Sequence, residues 1–358
     1  MIIGIHAAAA FKKERTGVEE YAFRLIRYFA MLEEGKKHRF LLYTPSSSEE
    51  SDLPRNFEIK TLRFPVFWTQ VRLALEMALN KPGALFIPAH VLPLIHPKNS
   101  VVTIHDLAFE YFPEMYPLFH RRYLRWTTKY AISKAKKIIV PSENTKKDLI
   151  EFYGARKEKI KVIYHGIAPF TAVQNEKSPL VQKYILYIGR IERKKNVEGL
   201  INAFEIIKEK YQIPHKLVLA GGPGYLFEEV KKKIDASPSK QDIILTGHLQ
   251  ENQKNVFLKF ADLFVFPSFY EGFGFPILEA QAAEVPVIAS NVSSLPEVAG
   301  EGALFFDPAD FEQMAEVIYS AASRTELRES LIKKGSENLR RFSWKKCAEE
   351  TLRTLIED

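Results

Sequence analysis

Two carboxylates stand out in the stretch Pro267 to Ser290, PSFYEGFGFPILEAQAAEVPVIAS: Glu271 and Glu279, with seven residues between them. Paired carboxylates commonly divide acid and base duties. Here one precedes a helix and the other is placed about two turns within it, so they could instead grip separate parts of one ligand. The local pattern is strand, loop, helix, strand. An apolar run at Leu263 to Phe266 leads into a turn holding Glu271, Gly272 and Gly274, a helix opens near Pro276, and a second strand-like run follows at Pro286 to Ala289. Proline suits a first helical turn, where its missing N–H is not needed. The free N–H groups and partial positive charge of a helix N-terminus favour phosphate, with sugar hydroxyls beside it.

A second basic constellation lies upstream in YILYIGRIERKKN, Tyr184 to Asn196. A strand ends at Gly189, and Arg190 and Lys195 follow before a helix that opens with Asn196 as its N-cap. A planar fork and a point charge at a strand's carboxyl end suit a diphosphate; the bland alternative is a solvated basic turn. LVLAGGPGY, Leu217 to Tyr225, runs a strand into a Gly-rich turn without the Gly-x-Gly-x-x-Gly spacing of a dinucleotide fingerprint. The next strand ends in Thr246, Gly247, His248 and Leu249, whose backbone could reach a nucleobase. In the N-terminal half, VVTIHDL ends a strand at His105 and Asp106, where a His can touch a reacting sugar or an acceptor hydroxyl, or else form a hydrogen-bonded core pair. Thr16 and Gly17 precede another helix, and a Gly there lets backbone approach a phosphate or acceptor, as an ordinary loop glycine also could.

Other chemistries find no support. Gly-x-Ser-x-Gly does not occur, and the lone cysteine, Cys347, sits in a closing helix pattern. The nine His residues show no His-x-x-x-His spacing and there is no Asp-x-Asp to hold a metal against a diphosphate. The expectation is therefore no metal and no cofactor, with any diphosphate charge met by Arg190, Lys195 and helix N-termini.

The elements that must position these residues alternate along the whole chain. Strands are expected at Ile2 to His6, Phe40 to Thr44, Phe57 to Arg63, Ala84 to Ile87, Val101 to Ile104, Ile138 to Val140 and Ile160 to Tyr164, with helices at Val18 to Leu32, Trp68 to Leu79, Phe119 to Ala135 and Thr145 to Tyr153. After a polar linker, Ala172 to Ser178, strands recur at Tyr184 to Ile188, Lys216 to Leu219, Ile243 to Leu245, Leu263 to Phe266 and Val287 to Ala289, again with helices between. Asp310 to Ser323, Glu326 to Arg341 and Trp344 to Ile356 read as amphipathic closing helices. Such alternation predicts α/β architecture: two doubly wound, Rossmann-like domains facing a central cleft, with ligands at the carboxyl ends of the strands. The 358 residues exceed one comfortable core, which agrees.

Composition is that of a soluble globular protein, 46% hydrophobic and 27% charged, with no apolar run of spanning length and one cysteine. A cytoplasmic location is expected, peripheral on the inner face of the membrane if the following reading holds. Net charge is +7, which favours anionic partners. From Met115 to Ser142 there is no carboxylate, while Arg121, Arg122, Arg125, Lys129, Lys134, Lys136 and Lys137 crowd the segment and Phe119, Tyr123, Trp126 and Tyr130 share one helical face. Residues 118–137 thus read as an anionic-membrane surface element, or as a core stripe with a solvated basic face.

Taken together, EGFGFPILE at 271 to 279, GRIERKKN at 189 to 196, the AGGPG turn, IIVPSENTKKDLI at 138 to 150 and KVIYHGI at 161 to 167 resemble the retaining GT-B glycosyltransferases of the family 4 type, with their Glu-x7-Glu motif. That family includes bacterial lipopolysaccharide mannosyltransferases and phosphatidylinositol mannosyltransferases, and the likeness covers nearly the whole chain. It implies an acceptor-binding domain at 1–170, a nucleotide-sugar domain at 171–343, and a final helix, 344–358, that crosses back onto the first. It implies that Arg190 and Lys195 hold the donor diphosphate, that Glu271 binds sugar hydroxyls and Glu279 the ribose, and that His105 lies at the reacting sugar. Gly189, Gly272 and the backbone of Phe273 and Gly274 would support sugar and phosphate, and Gly247, His248 and Leu249 would flank the base. Where the family often has Gly-Gly before the first helix, this chain has only Thr16-Gly17.

The expected activity is retaining transfer of a hexose from a nucleotide diphosphate sugar to a saccharide or lipid-linked saccharide. TIHDLAFEYFPEMYP resembles mannosyltransferases of the family, so GDP-mannose is the first expectation and a UDP-hexose the second. Rival readings are a nucleotide-sugar epimerase, a dinucleotide-dependent oxidoreductase and a nucleic-acid binder. The last leaves the paired Glu residues without a role, so nucleic acid is not expected as a partner.

Overall fold

The computed structural model describes residues 1–12, 15–46, 52–171 and 176–357. The chain divides into two compact units, Met1–Gly166 with Phe342–Asp358, and Ile167–Arg341. Of the linker read at Ala172 to Ser178, residues 172–175 lie outside the described residues, as does position 358.

The first unit holds a seven-stranded parallel sheet, β1 (Ile2–His6), β2 (Arg39–Thr44), β3 (Phe57–Thr61), β4 (Ala84–Ile87), β5 (Ser100–Thr103), β6 (Lys137–Val140) and β7 (Ile160–Val162), in the order β3-β2-β1-β4-β5-β6-β7. β4 and β5 are buried along their whole length, as a parallel sheet covered on both faces requires. The helix Gly17–Met31 carries the chain from β1 towards the β3 edge, whereas a π-helical turn, Thr69–Leu73, continued by the helix Ala74–Leu79, leads from β3 back to β4. The helix Leu118–Lys134 joins β5 to β6 in that same direction. Right-handed crossovers therefore place Gly17–Met31 on one face and the other two together on the opposite face. There Leu73, Met77, Ala131 and Ala135 share one core with Leu85, Val102 and Ile138.

The aromatic stripe on Leu118–Lys134 is divided: Tyr123 is half-buried and Tyr130 packs partly buried against the core, but the other two rings face out. Phe119 is 75% and Trp126 45% exposed, while Thr127, Thr128 and Ala131 are the buried residues of the helix. The C-terminal helix Trp344–Ile356 packs on Gly17–Met31 and on β4 and β5. Gly166 makes room for it, since a Cβ there would lie 2.1 Å from the Trp344 nitrogen. His165 stacks on Trp344 at 6.2 Å and meets Tyr21 at 4.5 Å between ring centres.

The second unit holds a six-stranded parallel sheet, β8 (Tyr184–Ile188), β9 (Lys216–Ala220), β10 (Ile243–Gly247), β11 (Leu263–Phe266), β12 (Val287–Ser290) and β13 (Ala303–Phe306), in the order β10-β9-β8-β11-β12-β13. β13 does not appear among the strands read from sequence. From β8 the chain builds outward through β9 to β10, then returns to β11 on the other side of β8. The order reverses between β8 and β11, so the loops leaving their carboxyl ends diverge and leave a crevice, the usual ligand position in such sheets.

Candidate active site

Those two loops carry the basic and acidic constellations. After β8, Gly189 and Arg190 lead into a 3-10 turn, Arg193–Lys195, and then the helix Val197–Tyr211. After β11, Pro267–Gly274 leads into the helix Phe275–Ala282, which opens at Gly274 with φ 111°. The structure brings Lys195 and Glu271 together, Nζ to Oε1 at 2.5 Å, although 76 residues separate them. Both side chains are largely buried, 15% and 13% exposed, and the ammonium lies 5.3 Å from the Phe266 ring centre. The Phe269 N–H donates to the Lys194 carbonyl at 2.9 Å, tying the loops through backbone as well.

Glu271 is braced from a third loop that sequence reasoning missed. Its N–H donates to Ser293 Oγ at 3.0 Å, and Ser294 Oγ lies 2.9 Å and 2.8 Å from the Glu271 and Phe273 carbonyls. Ser293 adopts φ 51°, which aims these two consecutive hydroxyls at the loop. The pair Ser-Ser before Leu-Pro-Glu reads as a helix entry, and nothing in it points to Glu271.

Glu279 stands in the fifth position of Phe275–Ala282, one turn from its start rather than the two expected, because the helix opens at Phe275 and ends at Ala282. Its Oε1 accepts from Lys254 Nζ at 2.8 Å, and Lys254 also reaches Glu251 Oε2 at 3.1 Å. Burial by itself lowers the pKa of the Lys254 ammonium, but Glu279 and Glu251 outweigh it and the net shift is upward. Lys254, on the helix Glu251–Lys259, is a further site residue that the sequence reading missed.

The Gly-rich turn after β9 packs directly on the basic loop. The Ile191 N–H donates to the Gly222 carbonyl and the Gly224 N–H to the Ile191 carbonyl, each at 2.9 Å. A Cβ on Gly221 would sit 1.8 Å from the Gly189 carbonyl oxygen, and one on Gly224 2.8 Å from Arg190 Cδ. The turn is thus the floor beneath Arg190, whose side chain is exposed. Gly247 closes β10 with φ 73°, His248 is exposed and Leu249 half-buried. Asn196 begins its helix in the left-handed region with no capping bond from its side chain; Nδ2 instead donates to the Pro308 carbonyl at 2.8 Å.

In the first unit, His105 is buried and its Nε2 contacts the Pro88 carbonyl at 2.7 Å, which fixes that nitrogen as the donor. Burial, with His90 adding to it, pulls its pKa down to about 4, so the imidazole is neutral near pH 7. Pro88 follows β4, and β1 and β4 flank the corresponding reversal of strand order in this sheet. Thr16 and Glu19 form a capping box ahead of Gly17–Met31, and Glu19 also pairs with Lys12 at 2.8 Å. Among the described residues no group of three or more His, Cys, Asp or Glu converges as a metal site.

Residues 15–169 match the model for Glycosyltransferase Family 4 and residues 171–338 that for Glycosyl transferases group 1. The O-antigen chain mannosyltransferase B of Escherichia coli is 27% identical over 97% of this chain and 98% of its own. Among solved structures, WaaG, a glycosyltransferase involved in lipopolysaccharide biosynthesis, superposes with a TM-score of 0.75 at 15% identity, over all of both chains. The Anabaena HepE protein in complex with UDP and glucose superposes at 0.76 and 17%, over 100% of this chain and 99% of that one. The two family models adjoin and together take in almost the whole chain, which belongs to the glycosyltransferases and has their GT-B fold, with a family 4 N-terminal half and a group 1 C-terminal half.

Proposed function

We propose that this enzyme transfers mannose from GDP-mannose to a saccharide or lipid-linked saccharide, with retention at the anomeric carbon and without a divalent metal. The observation that carries the transfer reading is the Lys195–Glu271 pair at the reversal of strand order between β8 and β11. Lys195 and Arg190 take the diphosphate, Glu271 the sugar hydroxyls, and Glu279, backed by Lys254, the ribose. Gly189, Gly272, Phe273 and Gly274 support sugar and phosphate through backbone, and Gly247, His248 and Leu249 flank the base. In the step itself the bond from C1 to the diphosphate oxygen breaks and one from C1 to the acceptor oxygen forms on the same face. The acceptor proton passes to the departing phosphate oxygen. Negative charge grows on the diphosphate as this happens, so cations fixed beforehand stabilise the transition state more than the ground state. His105, neutral and held through Pro88, is assigned to the reacting sugar, and Thr16 and Gly17 to the acceptor or phosphate loop.

The full-length likeness to an O-antigen mannosyltransferase supports mannose. A UDP-hexose donor is the second reading, because the Anabaena HepE protein, a structural neighbour, has been solved in complex with UDP-glucose. A thermal-shift panel of GDP-mannose, UDP-glucose and UDP-N-acetylglucosamine separates them; stabilisation by a UDP sugar alone refutes the mannose reading. On the acceptor side, the exposed basic and aromatic helix Leu118–Lys134 supports docking of residues 118–137 on an anionic membrane that presents the acceptor. Among the described residues no helix is long and apolar enough to cross a membrane.

A further inference from the structure

The helix Leu118–Lys134 does not carry its exposed apolar surface alone. On the same face of the seven-stranded sheet, Val71, Leu75 and Leu79 are 46%, 51% and 70% exposed. Their spacing of four sets them in one outward stripe, while Leu73 and Met77 supply the inward one. The segment between the two helices adds exposed Leu94 and Ile95. It is bonded to both sides: Gln70 Nε2 donates to the Leu92 carbonyl, the Leu94 N–H donates to Gln70 Oε1, and Tyr130 Oη donates to the Leu94 carbonyl at 2.8 Å. Trp126 stacks on Tyr130 at 5.8 Å. The three elements are therefore one braced layer with aliphatic, then aromatic, side chains outward.

Cations adjoin this apolar belt. Arg122, Arg125, Trp126 and Lys129 line a shallow depression beside it. Arg125 pairs with Glu110 at 3.0 Å, whereas Arg122 and Lys129 make no ion pair among the described residues. Apolar stripes next to a basic depression in which Arg122 and Lys129 carry no ion pair among the described residues, with an indole at the border, match the headgroup boundary of an anionic bilayer.

We propose that this layer is a two-helix membrane footprint, in which Val71, Leu75, Leu79, Leu94 and Ile95 enter the headgroup–acyl boundary while Arg122, Arg125 and Lys129 hold an anionic phospholipid phosphate. The inference deepens the membrane reading of 118–137 and rests on it, since it adds an aliphatic anchor on a separate helix to a basic one.

The test is co-sedimentation of the full chain with vesicles of phosphatidylcholine containing about one-third phosphatidylglycerol, and with vesicles of phosphatidylcholine alone. The expected result is binding to the anionic vesicles. Val71→Ser/Leu75→Ser/Leu79→Ser should weaken it roughly 10-fold or more while leaving its salt dependence; Arg122→Glu/Lys129→Glu should abolish it at low salt. Unchanged nucleotide-sugar thermal shifts in both variants show that the fold is kept. If the serine variant binds as wild type and the charge variant does not, the aliphatic footprint is wrong and the reading of 118–137 survives. If wild type ignores both vesicles, both fail. Self-association of wild type in sedimentation equilibrium, abolished by the serine changes without any effect on vesicle binding, would make this face an interface between copies and overturn the proposal.

Discussion

In the free enzyme the cation assigned to the diphosphate is already engaged, because Lys195 and Glu271 meet at 2.5 Å with both side chains largely buried. A nucleoside diphosphate must compete with Glu271 for that ammonium, and this fixes the sign of two substitutions. Lys195→Met removes the cation and leaves Glu271 unpaired. Loss of a preorganised electrostatic donor of this kind lowers kcat by about 10²-fold, or about 2.7 kcal/mol, and GDP affinity should fall by roughly 10-fold, or about 1.4 kcal/mol. Glu271→Gln does the opposite to GDP, which lacks the donor hexose assigned to Glu271. With the competing carboxylate gone the ammonium is released to the phosphates, and GDP should bind several-fold tighter, while sugar transfer from the complete donor falls by about 10²-fold. Calorimetry with GDP and UDP, alongside steady-state transfer, reads both effects. In the double variant, GDP affinity should match that of Lys195→Met alone, since the two residues act through one contact. The reasoning is refuted if Lys195→Met keeps normal turnover, or if Glu271→Gln weakens GDP as much as Lys195→Met does.

Lys254→Met should raise the donor KM about fivefold with kcat nearly unchanged, and should narrow the preference for GDP over its 2′,3′-dideoxy analogue, since Lys254 holds Glu279 at 2.8 Å; an unchanged preference in calorimetry would separate Lys254 from the ribose. Ser294→Ala removes the buried hydroxyl shared by the Glu271 and Phe273 carbonyls, so transfer should drop about 10-fold while GDP affinity stays within about twofold; equal losses in both would show a collapsed loop instead. His105 has a folded pKa of about 4 against an ordinary 6.5, so the unfolded chain binds the extra proton first as pH falls. Its contribution, up to about 3 kcal/mol, is fully present above pH 6.5 and is lost as pH falls through that window to about 4. His105→Gln should therefore flatten the dependence of the urea midpoint on pH between about 7 and 4, and an unaltered slope would place the effect elsewhere.

The strand runs and most helices were legible because a parallel sheet covered on both faces demands apolar runs, and helices on its faces demand the 3.6 period. β13 was not legible: Ala303–Phe306 is short and follows the Gly300–Gly302 turn closely, with only Leu295–Ala299 as a helix before it. Arg190, Lys195 and Glu271 could be singled out as residue types at strand ends. The meeting of Lys195 and Glu271 could not, since it depends on β8 lying between β9 and β11, and strand order leaves no mark in a local pattern. Lys254 was hidden for the same reason, reading only as a partner for Glu251 one turn away. The orientation of Leu118–Lys134 illustrates a different limit. Periodicity identifies a face but not which face turns inward, and here the small Thr127, Thr128 and Ala131 turn to the sheet, leaving Phe119 and Trp126 outside and Tyr123 and Tyr130 half-buried at the edge.

The ambiguity between an acid–base pair and two separate grips bears on what each carboxylate faces. Glu271 and Glu279 are each paired with a lysine, at 2.5 Å and 2.8 Å, and the two lysines come from different elements, the 3-10 turn after β8 and the helix after β10. A carboxylate oxygen engaged by an ammonium at such distances is a poor base for an acceptor hydroxyl, because the same lone pairs would have to release the lysine first. It remains a good acceptor for hydroxyl donors through its other oxygen, which the pairing orients. Arg190 and Arg193 stay exposed beside the Lys195–Glu271 pair, so under the proposed assignment a diphosphate meets exposed cations first and gains Lys195 only by displacing Glu271. On the proposed assignment, binding the phosphates and freeing the Glu271 carboxylate for the sugar would be a single event, which would couple donor recognition to readiness for transfer.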